Sequence, residues 1–133
     1  MLRRARNARY NQIRRRKDQE RTDESILSFE LRAFRRLLER EPMLEIYRYN
    51  YETSHDNTPL WFDAAVMIRL SHGKKRMAVI DLNRYKSLDR YGTARRRRKQ
   101  AWAAKRGTPY VEFTLEQMST RLRVWCVRVR AGD

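Results

Sequence analysis

Cysteine and long apolar runs are scarce in this sequence, and acidic residues are few relative to basic ones. Its single cysteine, Cys126, excludes a disulfide framework within the chain, and its apolar neighbours indicate a small buried residue. No segment approaches the apolar length of a membrane span, so we expect no membrane partner. The basic N-terminus lacks the apolar stretch of a signal peptide, although an arginine-rich organelle presequence is an alternative because residues 1–17 contain no acid. We expect an intracellular protein or a component of a virion, and not a secreted protein.

Basic residues outnumber acidic ones two to one, which leaves a large positive charge. Lys and Arg total 32 against 16 Asp and Glu, which gives a formal charge of +16 and a sequence pI of about 11.0. Such a charge favours a nucleic-acid partner, since the neutralisation of phosphates supplies much of the affinity of nucleic-acid binders. The sequence carries no glycine-rich phosphate loop, no zinc-ligand set and no Ser-His-Asp arrangement, so other kinds of catalysis have no support in it.

The positive charge begins in an N-terminal segment with few apolar residues. Residues 1–21 contain too little apolar surface to form a core, and we expect a basic arm that gains order against phosphate. Residues 22–133 are then long enough for a single α/β domain with one modest core. The arm residues expected to contact nucleic acid are Arg3, Arg4, Arg14, Arg15, Arg16 and Lys17.

Hydrophobic periodicity predicts an α/β (α+β) fold for that domain. A helix over residues 22–42 is followed by strands over 43–52, 61–70 and 76–83, with a polar loop TSHDNTP after the first strand and a hairpin turn SHGKK after the second. A helix ARRRRKQAWAAKR then ends at Gly107, and the strand PYVEFT follows. The remaining residues predict a short helix, LEQMSTRL, and a last strand, RVWCVRVR, in which arginines alternate.

Three carboxylates lie at unusual positions in this arrangement. Glu30 falls near the middle of the apolar stripe of the first helix, where a carboxylate is unfavourable unless it is paired or bound to metal. Asp63 lies early in the second strand and Asp81 late in the third. Because these two residues lie at different distances from the turn around Gly73, their contact requires a stagger or a bend of the strands. If they meet, they offer the carboxylate oxygens that Mg²⁺ prefers.

The order of elements, together with these acids, resembles the PD-(D/E)xK restriction-endonuclease-like superfamily, and within it the transposon-end endonucleases and phage head-completion proteins. The resemblance covers about residues 25–120, and its matching segments are FDAAVMIRL, AVIDLN, ARRRRKQAWAAKRGTPYVEFT and LEQ. It implies an αβββαβ core with a small mixed sheet, DNA as a partner in preference to RNA, and Mg²⁺-dependent hydrolysis of phosphodiesters. It also implies that Asp63 and Asp81 hold the metal, with Glu30 assisting.

Asn83 is the point at which the sequence departs from that superfamily. It stands where the superfamily has a lysine, and an amide supplies no positive charge. Lys86, or an arginine of the following helix, is the candidate replacement, so the candidate catalytic residues are Asp63, Asp81, Asn83 and Lys86. In addition, Pro59 lies four residues before Asp63 instead of directly before it.

The basic run of the second helix and the tyrosines of the first strand each allow two interpretations. In our interpretation the basic run contacts phosphate, and a solvated helix face is the alternative. Tyr85 and Tyr91, near that helix, are able to stack on bases, although aromatic residues at such positions more often pack on the sheet. Tyr47, Tyr49 and Tyr51 are equally able to form the packing face of one strand. The residues of the basic run are Arg95, Arg96, Arg97, Arg98 and Lys99.

Two hypotheses of different class follow. The first is a metal-dependent endonuclease that acts on DNA. The second is a non-catalytic nucleic-acid-binding or structural protein with a degenerate nuclease site, such as a phage head-completion or connector component, or an RNA-binding part of a large assembly. A nuclease requires Asp63 and Asp81 to be close together and open to solvent. A non-catalytic protein with a degenerate site would either bury these acids against arginines or hold them apart. Pairing is a ready alternative because the chain has many arginines.

Overall fold

The computed structural model describes residues 29–84 and 90–132, so the basic arm and Lys86 lie outside the described residues. The chain divides into two compact units, residues 1–33 and 34–133, and of the first unit only residues 29–33 are described. The first described helix, α1, covers residues 29–40. It is followed by β1 (Leu44–His55), β2 (Thr58–Arg69), β3 (Lys75–Leu82), α2 (Arg90–Arg106), β4 (Tyr110–Phe113) and α3 (Leu115–Ala131).

The four strands form one mixed sheet in the order β1–β2–β3–β4. β1 and β2 are antiparallel, as are β2 and β3, whereas β4 runs parallel to β3. Antiparallel neighbours are joined by short turns, but a parallel pair needs a long crossover connection, and α2 is that connection. The predicted α+β class, the αβββαβ order and the small mixed sheet are therefore confirmed.

The first hairpin is longer than the sequence predicted. β1 and β2 remain paired as far as His55 and Thr58, and only Asp56 and Asn57 connect them. These two residues have φ values of 49° and 62°, as a two-residue turn of type I′ requires, and Asp and Asn tolerate that conformation better than most residues. The prediction of a polar loop over TSHDNTP is therefore wrong, because polar residues in this segment continue the strand ladder.

The second hairpin places the two acids of interest opposite each other. The strands pair Ala64 with Ile80, so the next position of the same register sets Asp63 against Asp81. The expectation that contact between them needs a stagger or a bend is wrong. It took Gly73 as the centre of the turn, whereas the observed register centres the turn one residue earlier.

The two faces of the sheet differ in the side chains that they bury. Strand alternation places aliphatic residues of β2 and β3 on the face covered by α3: Ala64, Val66, Ala78 and Ile80. The buried residues that α1 and α3 contribute are Phe34, Leu38, Met118, Leu122, Cys126 and Val129. On the face covered by α2 the buried cluster consists of Leu60, Phe62, Ala65, Val79, Trp102 and Ala103. One core is thus aliphatic in its strands, and the other is built around aromatic rings.

The C-terminal segment is a single helix, which corrects the predicted short helix and last strand. Thr114 and Gln117 form a capping box at its start, with hydrogen bonds of 3.1 and 3.0 Å. Its buried residues, Met118, Leu122, Cys126 and Val129, recur at helical spacing. The alternating valines and arginines of RVWCVRVR also fit the period of a strand. The helical period prevails because it buries one continuous stripe and no turn residue interrupts the segment.

Helix α1 buries only part of the stripe that its sequence predicted. Phe34 and Leu38, one turn apart, are fully buried, whereas Phe29 is 79% exposed. Glu30 is half-buried. Among the helices of the described residues, none is long and apolar enough to cross a membrane.

Candidate functional site

Asp63 and Asp81 contact each other's strand through hydrogen bonds between side chain and backbone. The Asp63 backbone N–H donates to Asp81 Oδ1 over 2.8 Å, and the Leu82 backbone N–H donates to Asp63 Oδ2 over 2.8 Å. These bonds begin just beyond the last backbone pair of the two strands. The two carboxylates therefore continue the connection between β2 and β3 after the regular ladder has ended.

Asp81 is the more deeply buried of the two acids. The residue is only 6% exposed. Its Oδ2 accepts hydrogen bonds from Lys99 Nζ (2.6 Å) and from the Tyr110 hydroxyl (3.1 Å). Lys99 is 9% exposed, and its ammonium lies 5.0 Å from the centre of the Phe62 ring. Two charges removed from water in this way are tolerable only because they neutralise each other and share further hydrogen bonds. The Asp81–Lys99 pair is thus the polar centre of the contact between α2 and the sheet.

Asp63 has a more open environment. Its side chain is 24% exposed, and Oδ1 faces Arg84 Nη2 at 3.3 Å. Burial and the neighbouring charge of Asp81 raise the pKa of Asp63, while the Leu82 N–H and the cations Arg84 and Lys99 act in the opposite direction. The Arg84 Nε is buried and has no hydrogen-bond partner among the described residues. The contact between Asp63 and Arg84 is therefore a single, incompletely satisfied ion pair.

Glu112 forms a second ion pair with α2 beside the first. The parallel register sets Glu112 of β4 next to Asp81 of β3. Glu112 receives two hydrogen bonds from Arg96, one from Nε (2.9 Å) and one from Nη2 (2.6 Å), and this pairing raises the pKa of Arg96. Burial and the adjacent acids raise the pKa of Tyr110, so its hydroxyl stays protonated and donates a hydrogen bond to Asp81.

Helix α2 therefore divides its basic residues between two sides. Arg96 and Lys99 point toward the sheet, where Glu112 and Asp81 hold them. The buried Trp102 and Ala103 fix this rotation, because Lys99 and Arg96 fall on the same stripe as Ala103 at intervals of four and seven residues. The remaining three arginines of the run, Arg95, Arg97 and Arg98, are exposed.

Sequence analysis missed the partners of Asp81. Lys99 was interpreted as one member of a phosphate-binding run, and neither Tyr110 nor Glu112 was singled out. A signal for them is present in the sequence: extending the helical stripe back from Trp102 reaches Lys99, and strand alternation puts Tyr110 and Glu112 on one face of β4.

The other predicted site residues have the following positions. Asn83 directly follows β3, is half-buried, and donates its backbone N–H to the Phe113 carbonyl over 2.7 Å. Glu30 lies in the described part of the first unit, and a role as metal ligand stays a prediction. Lys86 and the six basic residues of the arm lie outside the part of the chain that the structure describes.

The acids do not offer Mg²⁺ a suitable set of oxygens in this arrangement. Across residues 29–84 and 90–132, no three acidic, histidine or cysteine side chains converge on one point. Both oxygens of Asp81 already accept hydrogen bonds, and Asp63 Oδ1 faces a guanidinium. A divalent cation at these oxygens would also lie close to the positive charges of Lys99 and Arg84. Magnesium binding by Asp63, Asp81 and Glu30 stays a prediction, which the present pairing of these oxygens does not favour.

Comparison with known proteins yields no relative from which a function can be transferred. No protein-family model, no curated protein and no solved structure matches this chain. The resemblance to PD-(D/E)xK nucleases thus rests on the element order and on the few acids described above.

Proposed function

We propose that this protein binds nucleic acid, DNA in preference to RNA, through the outward side of α2, and that Asp63, Asp81 and Glu112 have structural roles. The observation that carries the proposal is the division of α2: two basic residues are bound by acids of the sheet, and three arginines remain outside. Because the two ion pairs fix the position of α2 on the sheet, the three outward arginines are also held in place. Phosphate binding then requires little further ordering of the protein.

Charge supports the same proposal. None of the outward arginines Arg95, Arg97 and Arg98 forms an ion pair with any described residue. The chain carries a formal charge of +16, so the acids elsewhere do not offset them. Contacts of this kind recognise the phosphate backbone and not the base sequence, so we expect binding that is strong at low salt and largely independent of sequence.

The environment of the acids favours a non-catalytic role over hydrolysis. A catalytic pair of acids must be reachable by metal and substrate, whereas Asp81 is enclosed by Lys99, Tyr110 and the strand backbone. The endonuclease hypothesis is retained as the alternative for one reason. Asp63 and Asp81 do lie together, and Lys99 brings to them the positive charge that Asn83 lacks.

A binding experiment with two matched triple variants tests the proposed surface. The first variant replaces Arg95, Arg97 and Arg98 with Gln. The second makes the same change of charge on the exposed side of α3, at Arg121, Arg128 and Arg130. The affinity for a short fluorescently labelled DNA duplex is measured by anisotropy over a range of salt concentrations.

We expect the α2 variant to lose about tenfold or more in affinity and to reduce the slope of log K against log salt by about 2 to 3, one for each lost phosphate contact. The α3 variant should change both quantities much less. Equal losses in the two variants would mean that net charge alone governs binding, and they would overturn the assignment to α2.

A plasmid-cleavage assay tests the catalytic alternative. The wild-type protein is incubated with supercoiled plasmid and with single-stranded DNA in the presence of Mg²⁺ or Mn²⁺, alongside Asp63→Asn. We expect no cleavage by either protein and unchanged salt-sensitive binding. Metal-dependent cleavage that disappears in Asp63→Asn, while the variant stays folded, would replace the non-catalytic proposal with the endonuclease.

The proposed role suits a chain that belongs to a large nucleic-acid assembly, inside a cell or in a virion. Phage head-completion or connector components are examples of such assemblies. The basic arm would add further phosphate contacts there, by the same electrostatic principle as α2.

A further inference from the structure

A row of aromatic rings crosses the sheet beneath α2 and ends in solvent at the edge strand. The rings of Tyr110 and Phe62 are 5.5 Å apart, and those of Phe62 and Trp102 are 4.9 Å apart. Tyr51 follows at 6.4 Å from Trp102, and Tyr47 at 6.3 Å from Tyr51. The inner rings belong to the core, but Tyr47 at the end of the row is 57% exposed.

The exposed end of this row is shaped by an irregularity of β1. The pairing with β2 shifts register between Ile46 and Arg48, and Tyr47 lies at that shift. A bulge on an edge strand redirects the side chain that it carries, and such irregularities recur near binding sites. The ring of Tyr47 is thereby held against Tyr51 on one side and left open on the other.

Two cations lie over rings of the same row. The Arg48 guanidinium carbon is 6.0 Å from the centre of the Tyr47 ring, and that of Arg106 is 5.2 Å from the centre of the Trp102 ring. Both arginines are exposed, and neither forms an ion pair with a carboxylate among the described residues. Arg106 lies at the end of α2, the helix whose outward side carries the arginines of the proposed function. The exposed surface along this row therefore consists of Tyr47, Arg48 and Arg106.

We propose that this surface binds single-stranded nucleic acid, with an unpaired base stacked on Tyr47 and the adjoining phosphates on Arg48 and Arg106. The inference rests on the proposed nucleic-acid binding by α2 and specifies the form of the ligand. An open aromatic ring flanked by cations complements a base and its phosphates, whereas the bases of a duplex are stacked on each other and present no free face. The ring contact is indifferent to base identity, because every base has an aromatic face.

The test compares Tyr47→Ala with Tyr47→Phe, which keeps the ring. Trp61→Ala is the control for exposed aromatic surface in general, since Trp61 is 50% exposed and takes part in no ring contact among the described residues. Affinities are measured by anisotropy for a labelled single-stranded DNA, a single-stranded RNA of the same sequence, and the corresponding DNA duplex. Thermal unfolding followed by circular dichroism verifies that each variant is folded.

We expect Tyr47→Ala to weaken binding of single strands by about five- to a hundredfold, the range for loss of one stacked base, and to leave duplex binding unchanged. Tyr47→Phe and Trp61→Ala should both bind like the wild type. In addition, Arg48→Gln should lower the salt slope for single strands by about 1, while Arg69→Gln, on the exposed end of β2, should not. A loss confined to DNA or to RNA would support the stacking site and identify which of the two it takes.

The possible failures separate this inference from the proposed function. If the α2 triple variant weakens binding but Tyr47→Ala leaves single-strand affinity unchanged, the stacking site is refuted and the α2 surface stands. Equal weakening of single strands and duplex by Tyr47→Ala would also refute stacking, because it would indicate a general disturbance of the surface. If the wild type binds no nucleic acid at low salt, both proposals fail together.

Discussion

The two faces of the sheet attach their helices by different chemistry. The face under α3 buries aliphatic strand residues against the apolar stripe of that helix. The face under α2 combines aromatic rings with two ion pairs, Asp81–Lys99 and Glu112–Arg96. Apolar packing is not directional, whereas an enclosed ion pair requires an opposite charge within a short distance. The comparison shows how a helix with almost no apolar residues in its first half can still occupy a fixed place on the sheet.

The largest effect is expected from breaking the buried pair on the α2 face. Asp81→Asn keeps the shape of the side chain but leaves the Lys99 ammonium without a counter-charge in a nearly closed site. Removal of one partner from a buried pair destabilises a protein by about 3 to 5 kcal/mol. The measurement is the free energy of unfolding in urea, with circular dichroism as the signal.

A double variant separates pairing from the loss of a charge. Asp81→Asn combined with Lys99→Met removes the unpaired ammonium, and we expect it to recover most of the stability lost in the single variant. A destabilisation of less than about 1 kcal/mol in Asp81→Asn would instead show that the pair contributes little to the attachment of α2.

A somewhat smaller effect is expected on the aliphatic face. Ile68, in β2, is fully buried, and Ile68→Ala should destabilise by about 3 kcal/mol through lost burial and a cavity. The urea experiment checks this value at two salt concentrations. If the lost stability is the same at both salt concentrations, the contact is apolar. A strong salt dependence would argue that charged groups stabilise this face as well.

The next comparison is between neighbouring arginines on opposite sides of α2. Arg96→Gln removes the two hydrogen bonds to Glu112, which is partly screened by solvent, so we expect a loss of about 1 kcal/mol. Arg95→Gln, on the outward side, should leave stability unchanged but weaken DNA binding. Urea unfolding measures the stability of both variants, and anisotropy measures their affinity for DNA. The assignment of sides is wrong if Arg95→Gln loses stability and Arg96→Gln loses only affinity.

The smallest expected effect concerns the pH dependence that Asp63 contributes. Because its pKa in the folded protein is raised above the ordinary value of 3.8, the protonated form is favoured by folding. The associated stability is present below that ordinary value and is lost as the pH rises through the raised pKa. The free energy of unfolding of Asp63→Asn, relative to that of the wild type, should therefore be higher at about pH 7 than at about pH 3. Unfolding curves at both pH values test the sign, and the reverse order would mean that Arg84 prevails over burial.

Much of the architecture could be predicted from local patterns. Alternation and turn residues located the three consecutive strands, and the element order placed Asp63 and Asp81 on adjacent strands. The C-terminal helix could not be chosen reliably, because RVWCVRVR satisfies the strand period as well as the helical one. The decision depends on what the segment packs against, and that contact is not local in the sequence.

The attachment of α2 was the harder part of the site to foresee. A run of basic residues has no apolar residues to show which of its side chains face inward, so all five were assigned to phosphate. Their division depends on Asp81 and Glu112, which lie in different strands and become neighbours only through the parallel pairing of β3 and β4. Ion pairs between distant segments leave little trace in local periodicity.

The basic run of α2 contains two pairs of cations with the same spacing. Arg95 and Arg98 are separated by three residues, as are Arg96 and Lys99, so a rotation of the helix by one residue would offer the two acids another pair of cations at the same spacing. Electrostatics alone therefore leaves two orientations nearly degenerate. Trp102 and Ala103 break that degeneracy, because only one orientation buries them. The ion pairs attach α2 to the sheet, and the burial of Trp102 and Ala103 determines which side of the helix faces it.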